Sequence, residues 1–291
     1  MSIGQRLVLT AIVAVGIAVP SGAAASWPSL TEPPPATGGG ERDAVVIVAI
    51  EDYAWAPDIP GARQNGSDWL TWFTKTRGVR DERVTVLWDQ QATTEEMERA
   101  ARKAAQNVDE GGTVWFVFIG HGAPAKDGTD GLLVAMDAQQ TPVGIYSRSL
   151  PQRRLASLVA DGAPHETVLI VDSCFSGRSS QGAALAANVQ PLTPMRLPRG
   201  AVTVLTAGSS SEYAGALPGG RRPAFTYLLL GALRGWGDSD NDGAVTVDEA
   251  IAYTRGVLGA TVRGRTQTPT RFGPGGTRVL AVDAIEAGPD L

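Results

Sequence analysis

Short, uninterrupted apolar runs recur along the chain, separated by stretches with helical spacing. Residues 44–50 (AVVIVAI), 113–119 (TVWFVFI) and 167–171 (TVLIV) are such runs, rich in β-branched and aromatic residues. This is the pattern of strands buried on both faces. Residues 84–88 and 201–206 predict two further strands, and 278–282 a sixth. Between them, 61–77, 94–108, 149–161, 223–236 and 246–258 predict helices, the second opened by a capping box of Thr93 with Glu96. Strands alternating with helices predict an α/β domain over 43–284, its mostly parallel sheet covered on both faces. In such sheets the functional site lies beyond the carboxyl ends of the strands.

The N-terminal end breaks this rhythm. Arg6 precedes an apolar run over 7–19, Pro20 and Gly22 interrupt it, and Ala23, Ala24 and Ala25 supply small residues. This predicts a secretory signal peptide over 1–25 and a secreted or periplasmic protein, with no transmembrane anchor after signal removal. The runs Pro33-Pro34-Pro35 and Gly38-Gly39-Gly40 between 26 and 42 predict a linker. The chain carries 25 Lys+Arg against 30 Asp+Glu, a net charge of −5. An acidic balance argues against a nucleic-acid partner. A single cysteine excludes an internal disulfide framework and any multi-cysteine metal site.

That cysteine has a companion. Gly120-His121-Gly122 follows the third predicted strand, and Asp172-Ser173-Cys174-Phe175-Ser176-Gly177 follows the fourth. One of only two histidines and the only thiol thus meet at one sheet edge. A thiolate is a nucleophile, and an imidazole can hold it ionised and protonate a leaving amine. The N–H groups of Gly122 and Cys174 are placed to stabilise an oxyanion. His165 precedes the fourth strand, at the opposite edge, and reads as structural.

The two motifs together resemble the caspase-like cysteine peptidases, specifically their bacterial metacaspase-like branch. The family's histidine and cysteine map onto His121 and Cys174, whose interval of 53 residues is close to that of caspases. The resemblance runs from about 44 to about 282 and implies a three-layer sandwich around a six-stranded, mostly parallel sheet. Pro60-Gly61-Ala62 with Asn65 and Asp68, and Asp130-Gly131-Leu132-Leu133 with Asp137, resemble further segments of the family. Phe175 departs from the histidine common after the cysteine in metacaspases and from the arginine of animal caspases.

The expected activity is that of a cysteine endopeptidase acting on a protein or peptide through a thioester acyl-enzyme. Asp172 shares the strand face of Cys174, and a carboxylate there attracts Arg or Lys before the scissile bond. The resemblance implies the same preference. Glu212, after the fifth strand, and Asp52, after the first, are further candidates for the substrate pocket.

Residues 238–249 (DSDNDGAVTVDE) follow the twelve-residue calcium loop of an EF-hand. Asp238, Asp240 and Asp242 occupy positions 1, 3 and 5, Gly243 the turn, Ala244 and Thr246 positions 7 and 9, and Glu249 position 12. The expected cofactor is Ca²⁺, structural and open to an activating role. Thr246 with Glu249 also reads as a plain capping box. Residues 178–199 hold Pro191, Pro194 and Pro198, and arginines are the only charged residues there. Such a stretch predicts an exposed loop, with self-cleavage after Arg196 or Arg199. Two other readings stay open: a catalytically idle, calcium-stabilised binding module on the same scaffold, and a gingipain-like or legumain-like peptidase.

Overall fold

The computed structural model describes residues 27–160, 166–177, 184–185, 202–209 and 212–289. The apolar N-terminal run, His165, Arg178, Arg196 and Arg199 lie outside them. In chain order the elements are β1 (Ala44–Ala49), α1 (Ala62–Thr71), β2 (Val84–Trp88), α2 (Thr94–Asn107), β3 (Thr113–Ile119), β4 (Gly122–Pro124), β5 (Gly131–Val134) and α3 (Pro142–Ser147). Then come β6 (Ser149–Pro151), α4 (Gln152–Val159), β7 (Glu166–Asp172), β8 (Val202–Thr206), α5 (Ala224–Gly231), β9 (Ala244–Thr246), α6 (Val247–Thr261), β10 (Thr270–Phe272) and β11 (Val279–Val282).

The main sheet runs β10-β8-β7-β3-β1-β2. The five strands from β8 to β2 pair in parallel, and β10 adds an antiparallel edge. Side-chain alternation divides the core into two layers. Val45, Ile47, Trp115, Val117 and Ile170 face α1, α5 and α6. Val46, Val48, Phe116, Phe118 and Val171 face α2 and α4. Both faces are therefore dry, which is why the inner strands read as continuous apolar runs.

Three expectations about the elements change. The sixth strand of the main sheet is Thr270–Phe272, whereas the predicted strand at 278–282 forms a separate two-stranded sheet with β9. The start of the predicted helix at 149–161 is strand β6, which joins β4 and β5 in a small sheet. The helices predicted over 61–77 and 223–236 begin as α-helices and widen into π-turns at Trp72–Thr76 and Ala232–Trp236.

The segment expected to be a linker is instead a strap against the body. Leu30 is buried. Its carbonyl accepts from Arg234 (2.7 Å), that of Pro28 from the Tyr227 hydroxyl (2.6 Å), and that of Pro34 from Thr76 (3.2 Å). The Trp27 indole N–H donates to the Pro218 carbonyl (3.0 Å). A proline-rich strand is short of N–H donors, so donors from the body meet its carbonyls instead.

Candidate active site

The strand register sets the site. Ile119 of β3 pairs with Asp172 of β7, so His121 and Cys174 stand two residues beyond one shared rung. The ladder runs past the strands, with the Gly120 N–H donating to the Asp172 carbonyl (3.2 Å). The two turns then touch. A Cβ on Gly122 would stand 2.7 Å from Ser173 Oγ and 2.8 Å from the Cys174 carbonyl, so this position admits only glycine.

His121 is held on two sides. Its backbone N–H donates to the Tyr53 hydroxyl (2.8 Å), which in turn donates to the Val134 carbonyl (3.2 Å), and the Tyr53 ring lies 4.7 Å from the imidazole. Its Nε2 lies 2.7 Å from the Pro57 carbonyl. A carbonyl only accepts, so Nε2 carries the proton and Nδ1 keeps a free lone pair. Burial lowers the imidazole pKa, while the Pro57 bond and the Asp58 charge work in the opposite direction.

Cys174 is buried, and the Ala214 N–H donates to its Sγ. Burial pushes the thiol up to about 12, more than that bond and the Arg265 charge draw it down. Ala214–Ala216 is itself fastened: Gln267 Oε1 accepts the Gly215 N–H (3.2 Å), and Arg265 donates to the Ala216 carbonyl (2.8 Å). His121, Cys174, Asp172 and Ala214 line one cavity of about 60 Å³, room for little more than water.

Asp172 reaches that cavity from beneath. Its Oδ2 accepts from the Thr226 N–H (2.8 Å) and hydroxyl (2.7 Å), and Asn65 donates to Thr226 Oγ1 (2.8 Å). Oδ1 accepts from no described residue. Burial raises the carboxyl to about 6 against the pull of Thr226. Asn65 and Asp68, singled out in the sequence, tie α1 to α5 rather than face the cavity. Asn65 also accepts from Arg222 Nε (2.6 Å), and Asp68 pairs with the same guanidinium.

The other two pocket candidates do not line the cavity. The Glu212 carboxylate turns to Ser209 N–H (3.0 Å) and to Thr268 N–H (2.7 Å) and hydroxyl (2.9 Å), tying two loops together. Asp52 is exposed and only its backbone N–H is engaged, by Asp89 (3.1 Å). Phe175 is buried against Gly131, packing the nucleophile turn on the small sheet. The Pro57 carbonyl, Tyr53, Thr226 and Arg265 were missed. A backbone carbonyl leaves no trace in residue type, and the others lie far away in sequence.

Asp238, Asp240 and Asp242 bring carboxylate oxygens within 4.8 Å of one another. Asn241 (φ 60°) and Gly243 (φ 83°) make the turn that converges them. This hard-oxygen set fits calcium in donor type. Glu249 stands apart from the three: Oε2 accepts from Thr246 N–H and hydroxyl, and Oε1 from Ser239. The loop is seated by β9, where Ala244 pairs with Val282 of β11.

Residues 42–273 match the family described as the caspase domain. The chain belongs to the caspase domain family. Its fold is accordingly caspase-like, and the family is one of cysteine peptidases. A protein from Geobacter sulfurreducens is similar in structure, with TM-score 0.58, 14% identity, and 84% of this chain and 99% of that one covered. Caspase-1 from Spodoptera frugiperda is similar with TM-score 0.52 and 15% identity, over 87% of this chain and 93% of that one. No curated protein sequence matches the chain.

Proposed function

We propose that this caspase-domain protein is an exported cysteine endopeptidase that cuts after Arg or Lys. The observation that carries the reading is the shared register of His121 and Cys174, with Asp172, two residues before the thiol, lining the same cavity. Nδ1 of His121 takes the thiol proton, and Sγ attacks the peptide carbonyl. The N–H groups of Gly122 and Cys174 receive the oxyanion. The C–N bond breaks as Nδ1–H protonates the leaving amine, and a thioester remains. Water then adds with its proton passing to His121, and the Cys174 thiol is regenerated. Oδ1 of Asp172, which no described residue engages, would meet the substrate's cation.

The Ala214 N–H rests on the thiol, and in this reading Ala214–Ala216 moves aside as substrate binds. We assign calcium at Asp238, Asp240 and Asp242 to stabilising the fold, and infer self-cleavage after Arg196 or Arg199. The covered thiol also favours a second reading, an idle calcium-stabilised binding module.

The test uses mature protein with Arg-, Lys- and Asp-terminated fluorogenic peptides, with and without calcium. Hydrolysis of the Arg and Lys peptides is expected, falling on the order of 10⁴-fold or more in Cys174→Ala and comparably in His121→Ala. Mass spectrometry of the same proteins should find fragments ending at Arg196 or Arg199 only in the wild type. No hydrolysis in any condition leaves the binding module; preference for Asp peptides removes the role of Asp172.

A further inference from the structure

We propose that Arg221 and the groove beside it form a subsite for an acidic side chain of the substrate, a few residues from the scissile bond. The proposal rests on the peptidase reading above and adds a specificity that Asp172 does not supply.

Two concavities meet on this face. The small one holds Cys174 and His121. The other, of about 470 Å³, opens between the N-terminal strap and residues 217–222, with Trp27, Gln64, Leu217, Arg222 and Tyr227 in its walls. Arg221 lines both. It is exposed, and no described residue gives it a hydrogen bond or ion pair. Its neighbour is fully engaged: Arg222 bonds Asn65 and Asp68 and lies 5.0 Å from the Tyr227 ring. Asp68 pairs with Arg222, accepts from Gln64 (2.8 Å) and is buried. It therefore does not neutralise Arg221. An unpaired guanidinium between a candidate nucleophile and an open groove is a ready fork for a carboxylate.

The path of the peptide follows from the chain. Ala214 touches the thiol, Ala216 makes a single bridge to Pro223, and Leu217 already borders the groove. A peptide lying along Ala214–Leu217 with one residue at Cys174 carries its neighbours past Arg221. Basic side chains there would meet the unpaired Arg221 guanidinium and be repelled. The groove depends on the strap, because the Trp27 indole N–H holds the Pro218 carbonyl across its rim.

The test measures binding to the Cys174→Ala protein, which separates recognition from turnover. Labelled peptides ending in Arg carry Glu, Gln or Lys at each of the three preceding positions. At one position the Glu peptide should bind about threefold to tenfold more tightly than the Gln peptide, with Lys weakest. Arg221→Gln in the same background should remove the Glu-over-Gln difference, and Arg221→Glu should favour Lys. Raising the salt concentration should shrink the difference. Equal affinities for Glu and Gln at all three positions, no binding of any peptide, or a difference that survives Arg221→Gln would overturn the subsite. Wild-type hydrolysis of the Gln peptides reports separately on the peptidase reading. If they are cleaved while Glu and Gln bind equally, only the subsite fails.

Discussion

At Asp172, burial raises the carboxyl to about 6, although Thr226 donates to it twice. A folded-state pKa above the ordinary carboxylate value means that the folded protein holds this proton more tightly. The contribution is favourable in acid and is lost as the pH rises from about 4 through about 6. A shift of about two pH units corresponds to roughly 3 kcal/mol of stability forgone at neutral pH. Asp172→Asn keeps an acceptor for Thr226 and removes the charge. Calorimetry should find its melting temperature above wild type at pH 7, with the gap closing near pH 4. Cleavage after Arg should fall at least tenfold in the same variant. In the wild type that cleavage should decline as the pH drops through about 6.

Among the elements, those that hold His121 and Cys174 were the easiest to read. β3 and β7 lie in the middle of the sheet and leave no solvent face, so their sequences are unbroken apolar runs. Three-residue strands gave no such signal, and β4, β6 and β10 appear only once their partners are in place. The sequence placed Glu212 and Asp52 near the right sheet edge but could not say which way their side chains turn. Glu212 turns to Thr268, 56 residues on. The acidic loop was legible because its spacing is local, although Glu249 serves the helix it caps. Calcium should raise the melting temperature by mass action, about 2.7 kcal/mol at a hundredfold excess over Kd. Asp240→Ala should abolish that rise, and a scan with chelator and with calcium checks it. No calcium-dependent shift would leave a capped turn.

For the whole molecule, the strap corrects an expectation drawn from composition alone. Prolines and glycines cannot build a core, but they can be bound by one, and Leu30 is the anchor. Leu30→Ala should cost about 2–5 kcal/mol, read from urea unfolding. No helix among the described residues is long and apolar enough to cross a membrane. The shared rung of β3 and β7 has a further consequence. Loops can open while the rest of a protein stays native, but central strands exchange their amide hydrogens only when the whole domain opens. His121 and Cys174 stand just beyond the ladder of that central pair, so the sheet fixes where their two turns begin. Heat inactivation and loss of the sheet should therefore follow one curve. In deuterium exchange the slowest amides of the chain should be those of 116–119 and 169–172, and they border its one thiol.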